Sequence, residues 1–190
     1  MTTIRIRIFV LAVTTALAAV GLGSTAQAST AAYCGITWGS LPKAHSAVDT
    51  DMINNVRAGR HTCFDRLVVD LGGQDITFGS YDVRYVPVVR TDGAGEALPV
   101  RGDADLQIVL KAPAYDADGH ATFAPANRNE VVDVSGYSTF RQLRWGGSYE
   151  GYTTMALGVR ARLPFRVFTL QGVPQSDFGP RLVIDVAHRW

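Results

Sequence analysis

The sequence predicts an all-β protein, a single-domain antiparallel β-sandwich or partly open barrel held by one disulfide. Eight strand-like runs lie along the chain, most of them alternating apolar and polar residues with the period of a strand, and Gly, Pro, Asp and Asn punctuate them. No segment carries an apolar stripe at helical spacing over three turns. Alternation of this kind belongs to antiparallel sheets with one wet face, so the outer faces are expected to be solvated.

The first 28 residues stand apart. Arg5 and Arg7 make a basic start, Ile8 to Leu22 an apolar run, and Ala26-Gln27-Ala28 an A-x-A cleavage site. The segment reads as a secretory signal cut after Ala28, leaving residues 29–190 as the domain. Its apolar run is short for a bilayer span of about 20 residues, so no stable membrane insertion is expected after cleavage. Cys34 follows Tyr33 well beyond the apolar run and is not placed for a lipid anchor. The whole chain has 18 Lys+Arg and 17 Asp+Glu; without the two leader arginines the balance is 16 against 17, or −1. So even a charge argues against nucleic acid as a partner.

Cys34 and Cys63 are the 2 cysteines, and both lie in the exported part. An even pair in such a protein reads as a disulfide, closing a loop of about 30 residues. The rival reading pairs a Cys63 thiol with His61.

Taken in order, "YCGITWGSLPKA" (33–44) reads as irregular, with Trp38 covering the disulfide, and "DTDMINNVRAGRHT" (49–62) as a polar, turn-rich link. Strands are expected at "FDRLVVDL" (64–71), "SYDVRYVPVV" (80–89), "DLQIVLKA" (105–112), "EVVDVSG" (130–136), "TFRQLRW" (139–145), "TTMALGVRA" (153–161), "FRVFTLQG" (165–172) and "RLVIDVAH" (181–188). Tyr81, Val83 and Tyr85 take one face and Asp82 and Arg84 the other; Leu106, Ile108 and Leu110 oppose Gln107 and Lys111. Asp92-Gly93 is a hairpin signal, Gly146-Gly147 is read as a turn straight after Trp145, and Tyr115 to Asn129 is the longest loop.

Charges interrupt the first strong strand, and the interruption has an echo. "RLVVD" (66–70) returns as "RLVID" (181–185), with Arg and Asp four apart and on one strand face in both. This predicts two similarly built strands, near one another, with a charged row. Asp65, Arg66 and Asp70 are assigned to a solvent row, mirrored by Arg181 and Asp185.

At these residues the chain resembles the AMIN domain, a β-sandwich module found beside bacterial cell-wall amidases and secretin-type envelope proteins. More fully, it resembles the AMIN-like proteins exported by actinobacteria, in "YCGITWGSLPK", "AGRHTCFDRLVVDL", "YDVRYVP", "PVRGDADLQIVLKAPAYD" and "GVRARLPFRVFTL". The resemblance covers Tyr33 to His188 and departs from the AMIN domain in being longer, with no amidase domain after it. It implies an exported, envelope-associated, non-catalytic binding module directed at peptidoglycan or an envelope protein, with no cofactor. The alternatives are a secreted regulator or inhibitor of a hydrolase, and a wall hydrolase of unrecognised type.

Catalytic and metal signatures are absent from the sequence. None of H-E-x-x-H, C-x-x-C and G-x-S-x-G occurs, and no pair of carboxylates is singled out for glycosidase chemistry. Asp116, Asp118 and His120 alternate as in a calcium loop, but Gly119 falls two places early for an EF-hand and Asn127 stands where the closing acid belongs. A turn-forming polar loop is the preferred reading. For glycan binding, aromatic platforms beside Arg are sought in "GYSTFRQLRWGGSYEGY" (136–152), where Arg141, Leu143 and Trp145 share one strand face and Phe140, Gln142 and Arg144 the other. The binding candidates are therefore Asp65, Arg66, Asp70, Arg141, Trp145, Arg181 and Asp185.

Overall fold

The computed structural model describes residues 32–48, 51–73, 75–176 and 178–190; the expected secretory signal lies outside them. Eleven strands follow in order: β1 (Ala32–Tyr33), β2 (Ile36–Thr37), β3 (Lys43–His45), β4 (Met52–Arg60), β5 (Phe64–Gly72), β6 (Tyr81–Val86), β7 (Ala104–Leu110), β8 (Phe140–Tyr149), β9 (Tyr152–Val159), β10 (Phe165–Leu170) and β11 (Arg181–Ala187). They form a sheet ordered β10-β11-β5-β4, a sheet ordered β3-β6-β7-β9-β8, and the β1-β2 ribbon, with every pairing antiparallel. The described residues contain no helix. This is the expected sandwich, and no sheet closes into a barrel.

The period of two decides the core. Leu67, Val69 and Leu71 of β5 and Leu182, Ile184 and Val186 of β11 point inward against Val83, Leu106, Ile108, Leu110, Met155 and Leu157 of the other sheet, in one buried cluster. Phe140, Leu143, Trp145 and Phe165 close its ends. The disulfide joins Cys34 in the β1-β2 turn to Cys63 at the head of β5, with Cα atoms 6.4 Å apart. Cys34 and Gly35 both take positive φ, 56° and 70°, as a two-residue type I′ hairpin requires.

Several expectations are corrected. Residues 52–60 form a nine-residue strand rather than a polar link. A register shift between Ile53 and Asn55 turns Ile53 and Val56 inward at a spacing of three, which hides the period of two. As an edge strand, β4 also tolerates Asn and Arg on its outer side. Residues 130–136 are irregular: Asp133 accepts from the Ser135 N–H at 2.8 Å, and only Val134 is buried there. The stretch instead belongs to the long connection between β7 and β8, whose Phe123, Val131 and Val132 pack on the core. Gly146-Gly147 does not turn the chain. The strand runs on through a bulge to Tyr149, and Glu150-Gly151, at φ 48° and 82°, makes the hairpin.

Nor is the second sheet wet throughout on its outer face. Thr154 and Ala156 are fully buried beneath the 87–103 connection, where Val89 and Leu98 pack on Ala156. Gly158 permits this approach: a Cβ there would lie 1.9 Å from the Arg101 carbonyl oxygen. The outer face of the first sheet also buries Val68, Val183 and Asp185, and it carries the candidate site.

Candidate functional site: the arginine face of the β10-β11-β5-β4 sheet

The two echoed motifs pair antiparallel in a register that sets each Arg against the other motif's Asp. Arg66 lies opposite Asp185, Val68 opposite Val183, and Asp70 opposite Arg181. Because side chains alternate, these residues all project from the face away from the core. Strand β10 adds Arg166 opposite Asp185, and β4 adds Arg57 opposite Val68 and Asn55 opposite Asp70. Four arginines thus share this face with two aspartates, and its four strands contain no Lys or Glu. The face carries a formal charge of +2 on a chain whose total is +1.

At one end Asp185 holds two guanidinium groups. Arg66 donates through Nε and Nη2 to the two carboxylate oxygens at 2.7 and 2.9 Å, and Arg166 donates through Nε at 2.8 Å. The Asp185 carboxylate is fully buried, while the Arg66 and Arg166 side chains keep 26% and 32% of their surface exposed, so ligand in solvent reaches cations and not the acid. Phe64, Phe168 and Trp38 complete the cluster. The Arg166 guanidinium lies 5.4, 5.0 and 5.6 Å from their ring centres, and that of Arg66 lies 5.1 and 5.6 Å from Phe64 and Phe168. These are cation–π distances.

The other end breaks the symmetry. Asp70 accepts from Arg57 through Nε and Nη2 at 2.9 and 3.0 Å and from Asn55 Nδ2 at 3.0 Å. The Asp70 hydrogen bond holds the Arg57 guanidinium above its usual range, with burial opposing. Arg181, opposite Asp70, makes no hydrogen bond or ion pair with any described residue, and its Nε is buried without an acceptor. An unmet buried donor of this kind costs about 1–3 kcal/mol. Arg57, Asp70, Arg181, Asn55 and Phe178 line a groove of about 480 Å³ here.

Of the residues anticipated from sequence, Arg66, Asp70, Arg181 and Asp185 come together on this face. Asp65 does not belong to the solvent row assigned to it. It has the inward phase of Leu67 and is fully buried, accepting from the Thr139 and Phe140 N–H groups at 2.5 and 3.2 Å and lying 3.1 Å from His188 Nε2. Burial and the Asp65 charge together push the nearby Tyr137 phenol up. Arg141 and Trp145 sit in the other sheet. A bulge after Phe140 moves that residue into the core and leaves Arg141 donating to the Tyr137 and Phe140 carbonyls, while Trp145 is buried edge-on to Phe123 at 5.2 Å. Arg57, Arg166, Phe64 and Phe168 were not anticipated. The alternation of Arg166, Phe168 and Leu170 in β10 carried a signal for two of them; the β4 bulge concealed Arg57.

Other chemistry finds less support. The disulfide removes the thiol that a Cys63–His61 pair requires. Asp116, Asp118 and His120 bring ligand atoms within 4.8 Å of one another, but Asp116 Oδ1 accepts from the Asp118 and His120 N–H groups at 3.0 and 2.8 Å, the bonding of a polar turn. No described helix is long and apolar enough to cross a membrane.

A family model, that of the AMIN-like domain, matches residues 51–188. The chain belongs to the AMIN-like domain family. The match takes in β4 through β11 and hence every arginine and aspartate of the arginine face, though not Trp38. Membership of the AMIN-like family relates the protein to cell-envelope modules, and the family together with the disulfide fits an extracytoplasmic protein. No curated protein and no solved structure matches the chain.

Proposed function

We propose that this AMIN-like protein is an exported, non-catalytic binding module of the cell envelope, freed from its leader after Ala28, and that its ligand is peptidoglycan. The observation that carries this reading is the arginine face: four guanidinium groups against two carboxylates, two of them stacked on Phe64, Phe168 and Trp38. A wall polymer offers sugars with apolar C–H faces and peptides with carboxylates. The partly exposed Phe64 and Phe168 rings suit the first and guanidinium forks the second, while the buried Trp38 backs the cluster. Such a face binds by stacking and charge, with no activated nucleophile required.

Sedimentation of the purified protein with insoluble peptidoglycan, beside a muropeptide-release assay, tests the reading. Saturable binding without release is expected, weakened by about tenfold or more in an Arg66→Ala/Arg181→Ala variant that still folds, the size of one or two lost charge-assisted hydrogen bonds. Failure of the wild type to sediment sinks the wall reading and favours an envelope protein or a hydrolase as partner. Release of soluble fragments makes the protein an enzyme.

A further inference from the structure

We infer that the groove at Arg181 is a subsite for the free terminal carboxylate of a peptide, the stem peptide of the wall polymer; the inference rests on the wall-binding reading above and deepens it. The guanidinium of Arg181 carries five N–H donors and no described acceptor, and its Nε is buried. The acid its strand register provides is already occupied: both oxygens of Asp70 are taken by Arg57, and Asn55 adds a third bond. Among the described residues no acceptor remains for Arg181, so the acceptor is sought in a ligand. A carboxylate matches the guanidinium fork with two parallel hydrogen bonds.

Charge and shape narrow the ligand further. Arg57 and Arg181 against Asp70 leave this end of the face at +1, which one carboxylate neutralises, while the Asp70 carboxylate on the groove wall disfavours a dianion such as phosphate. Phe178, two-thirds exposed, lines this groove and also an adjoining cavity whose walls include Ile76 and Val173, both likewise exposed. The ligand thus meets a cation at one end and, beside it, the Phe178, Ile76 and Val173 side chains in a wall that is otherwise mostly polar and includes Asp75 and Ser176; those three side chains suit a small apolar residue before a carboxyl terminus. Asn54 and the Asn55 amide oxygen at the groove offer polar atoms to a peptide backbone. The loop bearing Phe178 is held close to β5, for Gly179 packs so tightly that a Cβ would lie 2.0 Å from the Leu71 carbonyl oxygen, and the Leu71 N–H donates to Pro180 O at 3.0 Å.

Calorimetric titration of the purified protein with N-acetyl-D-alanyl-D-alanine, its carboxamide, and N-acetyl-L-alanyl-L-alanine tests this, alongside wall sedimentation. The D,D-acid is expected to bind about tenfold or more tightly than the amide, and more tightly than the L,L-acid. Arg181→Gln should abolish the preference for acid over amide, and Phe178→Ala, a change at an exposed side chain, should weaken both ligands alike. Thermal melts establish that each variant folds; if Arg181→Gln does not, the acid-to-amide ratio of the wild type decides. Equal binding of acid and amide, or undiminished acid binding by folded Arg181→Gln, overturns the subsite, and preference for the L,L-acid overturns the stem-peptide source. Wild-type protein that sediments with the wall yet ignores the dipeptides sinks the subsite alone. Protein that binds the D,D-acid but not the wall sinks the wall reading alone.

Discussion

Arg181 stands opposite Asp70 in the β5–β11 ladder, and no bond joins them. Four residues along, the mirrored pair Arg66 and Asp185 forms a two-pronged ion pair with Arg166 added from the next strand. One sequence motif, paired with its own echo, has yielded a saturated charge cluster at one end and an unsatisfied cation at the other. The difference lies in the third strand at each end. Strand β10 supplies Asp185 with an extra donor, whereas β4 supplies Arg57, which takes Asp70 away from Arg181.

The two aspartates should therefore differ in weight. Asp185→Ala leaves two partly buried guanidinium groups without their fully buried acid, and is expected to destabilise by about 3–5 kcal/mol. Asp70→Ala breaks a pair whose Arg57 is half exposed, and is expected to cost below about 1 kcal/mol. Urea unfolding of both variants measures this, and equal losses would contradict it.

Asp65 is structural rather than superficial. Asp65→Asn keeps the size of the side chain but replaces one acceptor with a donor facing the Thr139 and Phe140 N–H groups or His188. A loss of about 1–3 kcal/mol is expected. If the variant matched the wild type in urea, the buried role would be refuted.

Tyr85 gives the protein an alkaline limit. Burial pushes its phenol up to about 12, with the Arg162 charge opposing, and its hydroxyl donates to Leu163 O at 2.7 Å. Its neutral form is thus favoured by the folded state, a contribution complete below the ordinary value of 10.0 and lost as pH rises toward about 12. Urea stability of the wild type should fall more steeply over that interval than that of Tyr85→Phe. Parallel curves would remove Tyr85 as the cause.

Reduction tests the staple. Cys34–Cys63 closes a loop with a sequence separation of 29, and its loss is expected to cost roughly 3–4 kcal/mol through the greater freedom of the unfolded chain. Comparison of urea midpoints with and without reductant, and with a Cys34→Ala/Cys63→Ala variant, measures it. Since the same crosslink anchors the segment that brings Trp38 to 5.6 Å from Arg166, wall binding should weaken on reduction even where the sandwich survives.

Particular residues show how far the sequence could be read. Strands β5 and β11 were legible because Leu67, Val69, Leu182 and Ile184 alternate cleanly with charged or outward residues, and their repeated motif pointed to them as neighbours. Strand β4 was not, because one bulge replaced the spacing of two by three. The stretch at 130–136 misled in the opposite sense: its valines have strand propensity, but Asp133 and Ser135 form a local turn, and packing on the core is satisfied without a ladder.

By itself, the sequence determined the all-β class, the in-and-out phase of the central strands and the only disulfide two cysteines allow, since each follows from local period or from counting. Which charges meet, and which are left over, was decided by the tertiary structure alone. Phase records that Arg66, Asp70, Arg181 and Asp185 share a side of their strands; it holds no information on the strand that arrives next to them, or on what lies over an end of the sheet. Asp65 is buried because the Thr139–Phe140 backbone and His188 close over it, and Arg181 is unpaired among the described residues because β4 brings Arg57 to Asp70. Both outcomes depend on residues distant in the chain, so only folding could bring them about.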